Sequence, residues 1–236
     1  MRFIYVPKTN YEKFGWEVYN LLVENSSKTF FVGGMVRDLL LKRKITDIDI
    51  ATDLLPDVVI KLLETRLIPY SSAGKQFGIV AAKKKNFSVE IATLRSELYP
   101  DSRYPKVAFI KDTKKDSQRR DFTVNALYLQ AKKGILIDFH SGKKDLENKV
   151  IQFIGKPEER LQEDPLRILR AIRFSVDLDF KIEKKSLVAL KDNAQELKNI
   201  SANRKKIEIA KAKKQKTKKI LKKVINKPNS LDKYFE

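Results

Sequence analysis

The sequence contains no cysteine in its 236 residues, which excludes a disulfide framework and a thiolate metal site and suits a reducing compartment. It has a single histidine, His140, in the turn-like segment "DFHSG", read as a loop residue with no catalytic part. Long apolar runs are missing. The opening "MRFIYVPKTNYEKF" lacks the apolar stretch of a signal peptide, and nothing approaches the roughly 18 residues of a membrane span. The expectation is a cytoplasmic protein with no membrane partner. Acids are scarce beside bases, 30 Asp and Glu against 50 Lys and Arg, for a formal charge of +20. Such a surplus points to a polyanionic partner, nucleic acid first. What is plentiful is apolar residues, 42% of the chain, enough for one sizeable core or two small ones.

The spacing of those apolar residues sets out the elements. "YEKFGWEVYNLLVEN" places Phe14, Val18, Leu21 and Leu22 on one side of a helix, while "KTFFVGG" followed by "MVRDLLLKR" reads as strand, tight turn and helix. "TDIDIAT" is a second strand, "PDVVIKLLETR" a helix opened by Pro56, and "FGIVAAKKKNFSVEIATL" a hairpin turning at "KKKN". Residues 96–118 carry prolines and a polar run and read as an excursion or mobile loop. A second hairpin is expected around "AKKGILIDFHSG", and from about residue 156 the pattern is helical, with no further strand. The last 34 residues hold 13 Lys or Arg against 3 Asp or Glu, and "KAKKQKTKKILKKVINK" reads either as a basic amphipathic helix or as a frayed tail.

Two aspartates stand out in the apolar strand "ITDIDIAT". Alternation puts Asp47 and Asp49 on one face, about 7 Å apart, and turns Ile48 and Ile50 to the core. Paired carboxylates form a hard-oxygen site for Mg²⁺, and Glu90, inside the strand "FSVEIATL", is the candidate third acid for phosphoryl transfer. Gly33 and Gly34, between strand and helix, let backbone N–H groups approach a phosphate, with Arg37 one turn into the helix. Downstream, Asp164 and Arg167 are spaced as helical neighbours, one offering acceptors and the other donors, as a base edge requires. Arg170 and Arg173 continue that row.

Together these residues resemble the class II tRNA nucleotidyltransferases and bacterial poly(A) polymerases of the DNA polymerase β-like superfamily. The resemblance runs collinearly over residues 28–201 through "GGMVRDLLL", "DIDIAT", "GKQFGIV", "VEIATLRSE", "RRDFTVNAL" and "EDPLRILRAIRF". It implies an α+β fold: a polymerase β-like head with a mixed sheet and helices over residues 1–154, an all-helical base-reading neck over 155–202, and a short lysine-rich segment over 203–236. It further implies that Asp47 and Asp49 bind catalytic Mg²⁺ with Glu90 as third carboxylate, and that Gly33, Gly34 and Arg37 meet the nucleotide phosphates. Arg119, Arg120 and Asp121 match the ribose-recognition motif, and Asp164 and Arg167 match the element that reads CTP or ATP.

The implied activity is addition of CCA to the 3′ end of tRNA from CTP and ATP. "GKQFGIV" is similar to the tRNA-type branch, where poly(A) polymerases carry a basic, aromatic run, and "RSELYPDSRYP" (95–105) is similar to the intact loop of enzymes that use ATP, with Tyr104 in place of a second arginine. The alternatives are A-only addition, a poly(A) polymerase, or a catalytically impaired RNA-binding relic. After the neck, "ISANRKK" puts Asn203 where the family has glutamate, and the body and tail regions are shortened or replaced. Three readings of that end stay open: a minimal enzyme with a basic clamp, which is preferred, a chain needing a partner subunit, or a relic.

Overall fold

The computed structural model describes residues 3–26, 28–99 and 106–234; the middle of the expected ATP-linked loop, Tyr104 included, lies outside the described residues. The chain divides into two units, each with its own contacts. The first takes in Met1–Pro100, Pro105–Arg120 and Asn125–Gly142; the second includes Asp121–Val124 and Lys143–Glu236.

The first unit begins with helix α1 (Asn10–Val23). Thr9 caps it by accepting the Glu12 N–H, and the Glu12 carboxylate reaches back to the Thr9 hydroxyl and the Lys8 N–H, the reciprocal arrangement that fixes a helix start. There follow β1 (Thr29–Val32), α2 (Gly34–Leu40), β2 (Ile48–Thr52), α3 (Pro56–Thr65), β3 (Tyr70–Ser71), β4 (Ile79–Lys84) and β5 (Phe87–Thr93). Strands β6 (Arg95–Leu98) and β7 (Lys106–Phe109) form a small antiparallel hairpin, and α4 (Thr113–Gln118) leads to the hairpin β8 (Leu127–Gln130) and β9 (Ile135–Asp138). The stretch expected as an excursion therefore holds a strand pair and a helix. Its polar composition reflects their shallow burial, and Asp112 caps α4 through the Lys114 and Lys115 N–H groups.

Seven strands make one mixed sheet in the order β3-β4-β5-β2-β1-β8-β9, with β2 and β5 parallel and the other pairs antiparallel. Because β1 and β2 are fully engaged on both edges, their side chains must be apolar or specifically partnered on both faces. On one face Phe31, Ile48, Ile50, Val89 and Ile91 are buried beneath α1, whose Tyr19 ring stacks 4.5 Å from Phe31. Gly15 permits that approach, since a Cβ there would lie 2.6 Å from Ile48 Cδ1. On the other face Phe30, Val32, Ala51, Leu94 and Tyr128 form a second apolar cluster.

The second unit contains α5 (Gly142–Asn148), β10 (Val150–Ile151), α6 (Pro157–Glu163), α7 (Leu166–Leu178), β11 (Lys181–Ile182), α8 (Lys184–Asp192), α9 (Ala202–Ala210) and α10 (Gln215–Asn226). α7 is central, with Ile168, Leu169, Ala171 and Ile172 fully buried. One departure from the sequence reading appears here. The short strand β11, paired in parallel with β10, lies in the region expected to be all helical; two residues per strand leave no periodicity to detect. Residues from Lys143 onward make their contacts in this unit: Phe122 packs on Phe153 at 4.8 Å, and the Thr123 hydroxyl donates to Asp145 at 2.6 Å. The lysine-rich end is likewise part of it. No helix among the described residues is long and apolar enough to cross a membrane.

Candidate active site

A single cross-strand row runs over the sheet face that carries the second apolar cluster. Register pairing sets Glu90 opposite Asp49, Asp49 opposite Val32, and Val32 opposite Tyr128, so four neighbouring strands present these side chains to the same side. Asp49 and Glu90 are thus neighbours on adjacent strands, about 4.8 Å apart in the hydrogen-bonding direction. Asp47 stands just before β2 and is exposed, accepting from its neighbour Thr46 at 3.2 Å. The start of the strand is fixed by Tyr11 of α1, which accepts the Ile48 N–H at 3.0 Å and donates to the Ser88 carbonyl at 2.8 Å. Burial, with added repulsion from Asp47 and Asp49, pushes the Tyr11 hydroxyl up to about 12, keeping it a neutral donor beside the acids.

Among the described residues no three His, Cys, Asp or Glu side chains are gathered closely enough to hold a metal ion. That does not disqualify the acids as a magnesium site. Mg²⁺ is characteristically held by one or two carboxylates, with waters and substrate phosphates completing its shell. Two aspartates at i and i+2 on an accessible strand start supply that donor chemistry.

Gly33 adopts φ +66 and ψ −134, a backbone state closed to residues with a Cβ, and a Cβ there would lie 3.4 Å from Asp49 Oδ2 and 3.7 Å from Arg120 Nη1. The glycine turn, Asp49 and Arg120 therefore meet in one place. Gly34 opens α2, and its added Cβ would lie 3.5 Å from the Arg37 guanidinium. Arg37 itself is buried, paired with Asp38 at 2.9 Å and donating to Asn125 at 2.7 Å, so its charge is already compensated locally.

Arg119 and Arg120 are organised by an acid that the sequence reading passed over. Asp116 accepts from Arg119 Nε at 2.9 Å, the Tyr128 hydroxyl at 2.6 Å and the Arg95 N–H at 3.1 Å, with Arg120 Nη2 at 3.4 Å. Burial works to raise its pKa, but the two guanidiniums and these donors outweigh it and hold Asp116 at about 2. Arg120 also donates to the Tyr128 hydroxyl at 2.8 Å, its guanidinium 4.9 Å from the ring centre. Burial disfavours its charge, yet Tyr128, Asp116 and Asp49 more than offset this and its pKa is raised. Arg119 reaches Glu97 at 3.3 Å, which in turn holds Arg95 at 2.9 Å. The i, i+3 and i, i+4 spacing of Asp116 before "RR" was the signal available in the sequence.

In the second unit, Asp121 is buried and accepts from Arg170 Nε at 2.7 Å and the Phe122 N–H at 2.8 Å; burial opposes its charge, but Arg170 keeps the carboxyl below its usual range. Asp164 is not on the helix that carries Arg167. It ends α6, and its Oδ1 accepts the Leu166 N–H at 3.0 Å across the break before α7. Arg204 Nη2 lies 2.7 Å from its other oxygen. Arg167 is buried, bonding Glu163 and the Arg160 carbonyl at 2.5 and 2.6 Å. Arg173 is buried, packed 4.1 Å over the Phe174 ring and paired with Glu208 of α9. His140 Nε2 contacts the Ser117 hydroxyl at 2.8 Å, and Asp138 shapes its turn by accepting the His140 and Gly142 N–H groups.

A mixed sheet with paired acids beside a glycine turn, joined to a helical unit, defines a nucleotidyltransferase-type head and neck. The profile of the poly A polymerase head domain matches residues 29–152, and that of the "probable RNA and SrmB- binding site of polymerase A" matches residues 179–212. The chain belongs to the poly A polymerase head-domain family. A CCA-adding enzyme of Bacillus pumilus is 44% identical over 196 residues, which are 82% of this chain and 48% of the relative. The Bacillus stearothermophilus CCA-adding enzyme in complex with CTP superposes with a TM-score of 0.75 at 31% identity, over 86% of this chain and 48% of that one. A tRNA nucleotidyltransferase with primer tRNA and an incoming ATP analogue gives 0.71 at 30% identity, over 90% and 61%. The chain spans about half the length of the curated relatives it matches.

Proposed function

We propose that this chain is a cytoplasmic, template-independent nucleotidyltransferase that adds CCA to tRNA 3′ ends from CTP and ATP. The observation that carries the reading is the row Glu90, Asp49, Val32, Tyr128, which sets Glu90 next to Asp49, and Asp49 beside the Gly33 turn and Arg120, on one face of the sheet. The names of its relatives support the same substrates.

In this reading Asp47 and Asp49 hold Mg²⁺, with Glu90 adjacent. The ion, when bound, neutralises phosphate oxygens and lowers the barrier to attack by the RNA 3′-hydroxyl on the α-phosphate with release of pyrophosphate. Gly33 keeps the surface beside Asp49 free of side chain so that the triphosphate can approach. Arg120, held by Tyr128 and Asp116, presents a fixed cation next to Asp49. Fixed charge needs no reorganisation as phosphate charge develops. Asp121 orients Arg170, and Asp164, steadied by Arg204, offers acceptors to a base edge.

The test is to incubate the protein with Mg²⁺ and labelled tRNA lacking CCA, supplying CTP, ATP or both. Two residues with CTP alone and three with both are expected. Long A tracts identify a poly(A) polymerase, one A on tRNA ending in CC an A-adding enzyme, and binding without extension a relic.

A further inference from the structure

The two aspartates assigned above to the metal flank a single residue, Ile48, and helix α1 grips that residue twice. Tyr11, in the first turn of α1, accepts the Ile48 N–H at 3.0 Å and donates to the Ser88 carbonyl at 2.8 Å. Gly15, one turn further on and so on the same face of the helix, lies against the Ile48 side chain, where a Cβ would come within 2.6 Å of Cδ1 and 3.1 Å of Cγ2. Backbone and side chain of Ile48 are thus both held by one helix.

The place of the Tyr11 hydroxyl follows from the ladder it interrupts. β2 and β5 run parallel with Ile48 opposite Val89 and Thr52 opposite Thr93. In such a pair every second residue of one strand bonds the residues just before and just after its partner. The Leu94 N–H donates to the Thr52 carbonyl at 2.8 Å, which puts Thr52, Ile50 and Ile48 in the bonding phase. The rung due at the start of β2 is therefore the Ile48 N–H to the Ser88 carbonyl. Those are the two groups that the Tyr11 hydroxyl takes, so a phenol stands where the last rung would be. Two bonds in series hold the strands further apart than one direct bond of about 2.9 Å does. The widening falls immediately before the Asp49 and Glu90 pair and beside Asp47, which precedes the paired residues.

The phenol is itself fixed. Its ring stacks on Phe87, the first residue of β5, at 5.3 Å with 28° between the planes. The helix start that carries it is locked by the reciprocal bonds of Thr9 and Glu12. We infer that Tyr11 is a positioning residue for the acids: by holding Ile48 and wedging β2 from β5, it sets the spacing of Asp47, Asp49 and Glu90 at which a divalent cation is bound. The inference rests on the nucleotidyltransferase reading and deepens it by naming what holds its acids in place. Groups that orient metal ligands from behind typically account for about 10- to 100-fold in metal affinity.

Tyr11→Phe keeps the ring on Phe87 and removes only the hydroxyl. Tyr19→Phe, the control, removes a hydroxyl from the same helix where it bonds the Ala131 and Lys132 backbone rather than β2. Binding of Mn²⁺ alone is measured by electron paramagnetic resonance, from loss of the free-ion signal, and CMP addition to tRNA lacking CCA is titrated with Mg²⁺. Tyr11→Phe should raise the Mn²⁺ Kd about tenfold and the Mg²⁺ needed for half-maximal addition by a similar factor. Its KM for CTP at saturating Mg²⁺ should stay within about twofold of the parent. Tyr19→Phe should lower Tm by a similar amount and leave both metal readouts at parent values. Gly15→Ala presses on Ile48 from the same helix with the hydroxyl kept; it should also raise the Mn²⁺ Kd, and it decides the matter if Tyr11→Phe does not fold. Equal metal shifts in the two tyrosine variants, or parent-like Mn²⁺ binding in Tyr11→Phe, overturn the role. So does Mn²⁺ binding by the parent that ignores Asp49→Asn. Tyr11-dependent Mn²⁺ binding without any CMP addition upholds the role and sinks the transferase reading; CMP addition whose Mg²⁺ requirement ignores Tyr11→Phe does the reverse.

Discussion

Arg204 Nη2 lies 2.7 Å from Asp164 Oδ2, joining the first turn of α9 to the break between α6 and α7. The other Asp164 oxygen caps α7. The carboxylate expected to face a base is therefore fixed in direction by two donors rather than free to rotate on a helix surface.

The first prediction concerns that pair. Removing the guanidinium in Arg204→Gln leaves Asp164 capped but free on one side, so extension should continue with altered nucleotide choice. The ratio of CTP to ATP use in kcat/KM should change by about three- to tenfold, comparable to losing one charge-assisted hydrogen bond. An unchanged ratio would mean that Arg204 only packs α9 against its neighbours.

The second prediction tests the acids. Asp47 is exposed at the strand start, so Asp47→Ala removes no packed group and should leave Tm within about 2 °C. Asp49→Asn keeps the shape beside Gly33. Each should cut single-nucleotide incorporation by on the order of 10³-fold or more, because several kcal/mol of phosphate charge stabilisation depend on the carboxylates. Appreciable incorporation by both variants would remove them from the metal site.

The sequence carried much of this arrangement because the decisive features are local. Ile48 and Ile50 are buried while Asp49 faces the other way, as strict alternation requires. The helix of Phe14, Val18, Leu21 and Leu22 forms on the expected face, and both hairpins appear where their turn residues fall. What stayed hidden depends on distant pairing. Nothing near Tyr11 marks it as the residue that bonds Ile48 and Ser88, 37 and 77 positions away. Arg173 with Glu208 and Asp164 with Arg204 are separated by 35 and 40 positions. Treating "EDPLR" as one helix failed because Pro165 starts a new one and leaves Asp164 outside it.

The last prediction concerns pH and the hub at Asp116. Its carboxyl sits at about 2 in the folded protein, below the value near 4 of an unfolded aspartate, so the unfolded chain binds the proton more readily. The stabilisation is complete above pH 4 and is lost as pH falls from about 4 towards 2, amounting to roughly 2 kcal/mol by linkage. Asp116→Asn should remove that acid-side loss and also strand two guanidiniums, costing about 3 to 5 kcal/mol at pH 7. Urea unfolding between pH 2 and pH 7 measures both effects. Because Arg120 is then no longer held from two sides, incorporation at saturating nucleotide should fall as well. A variant as stable as the parent at pH 7, with the same slope below pH 4, would show that Arg119 and Arg120 are positioned by Glu97 and Tyr128 alone.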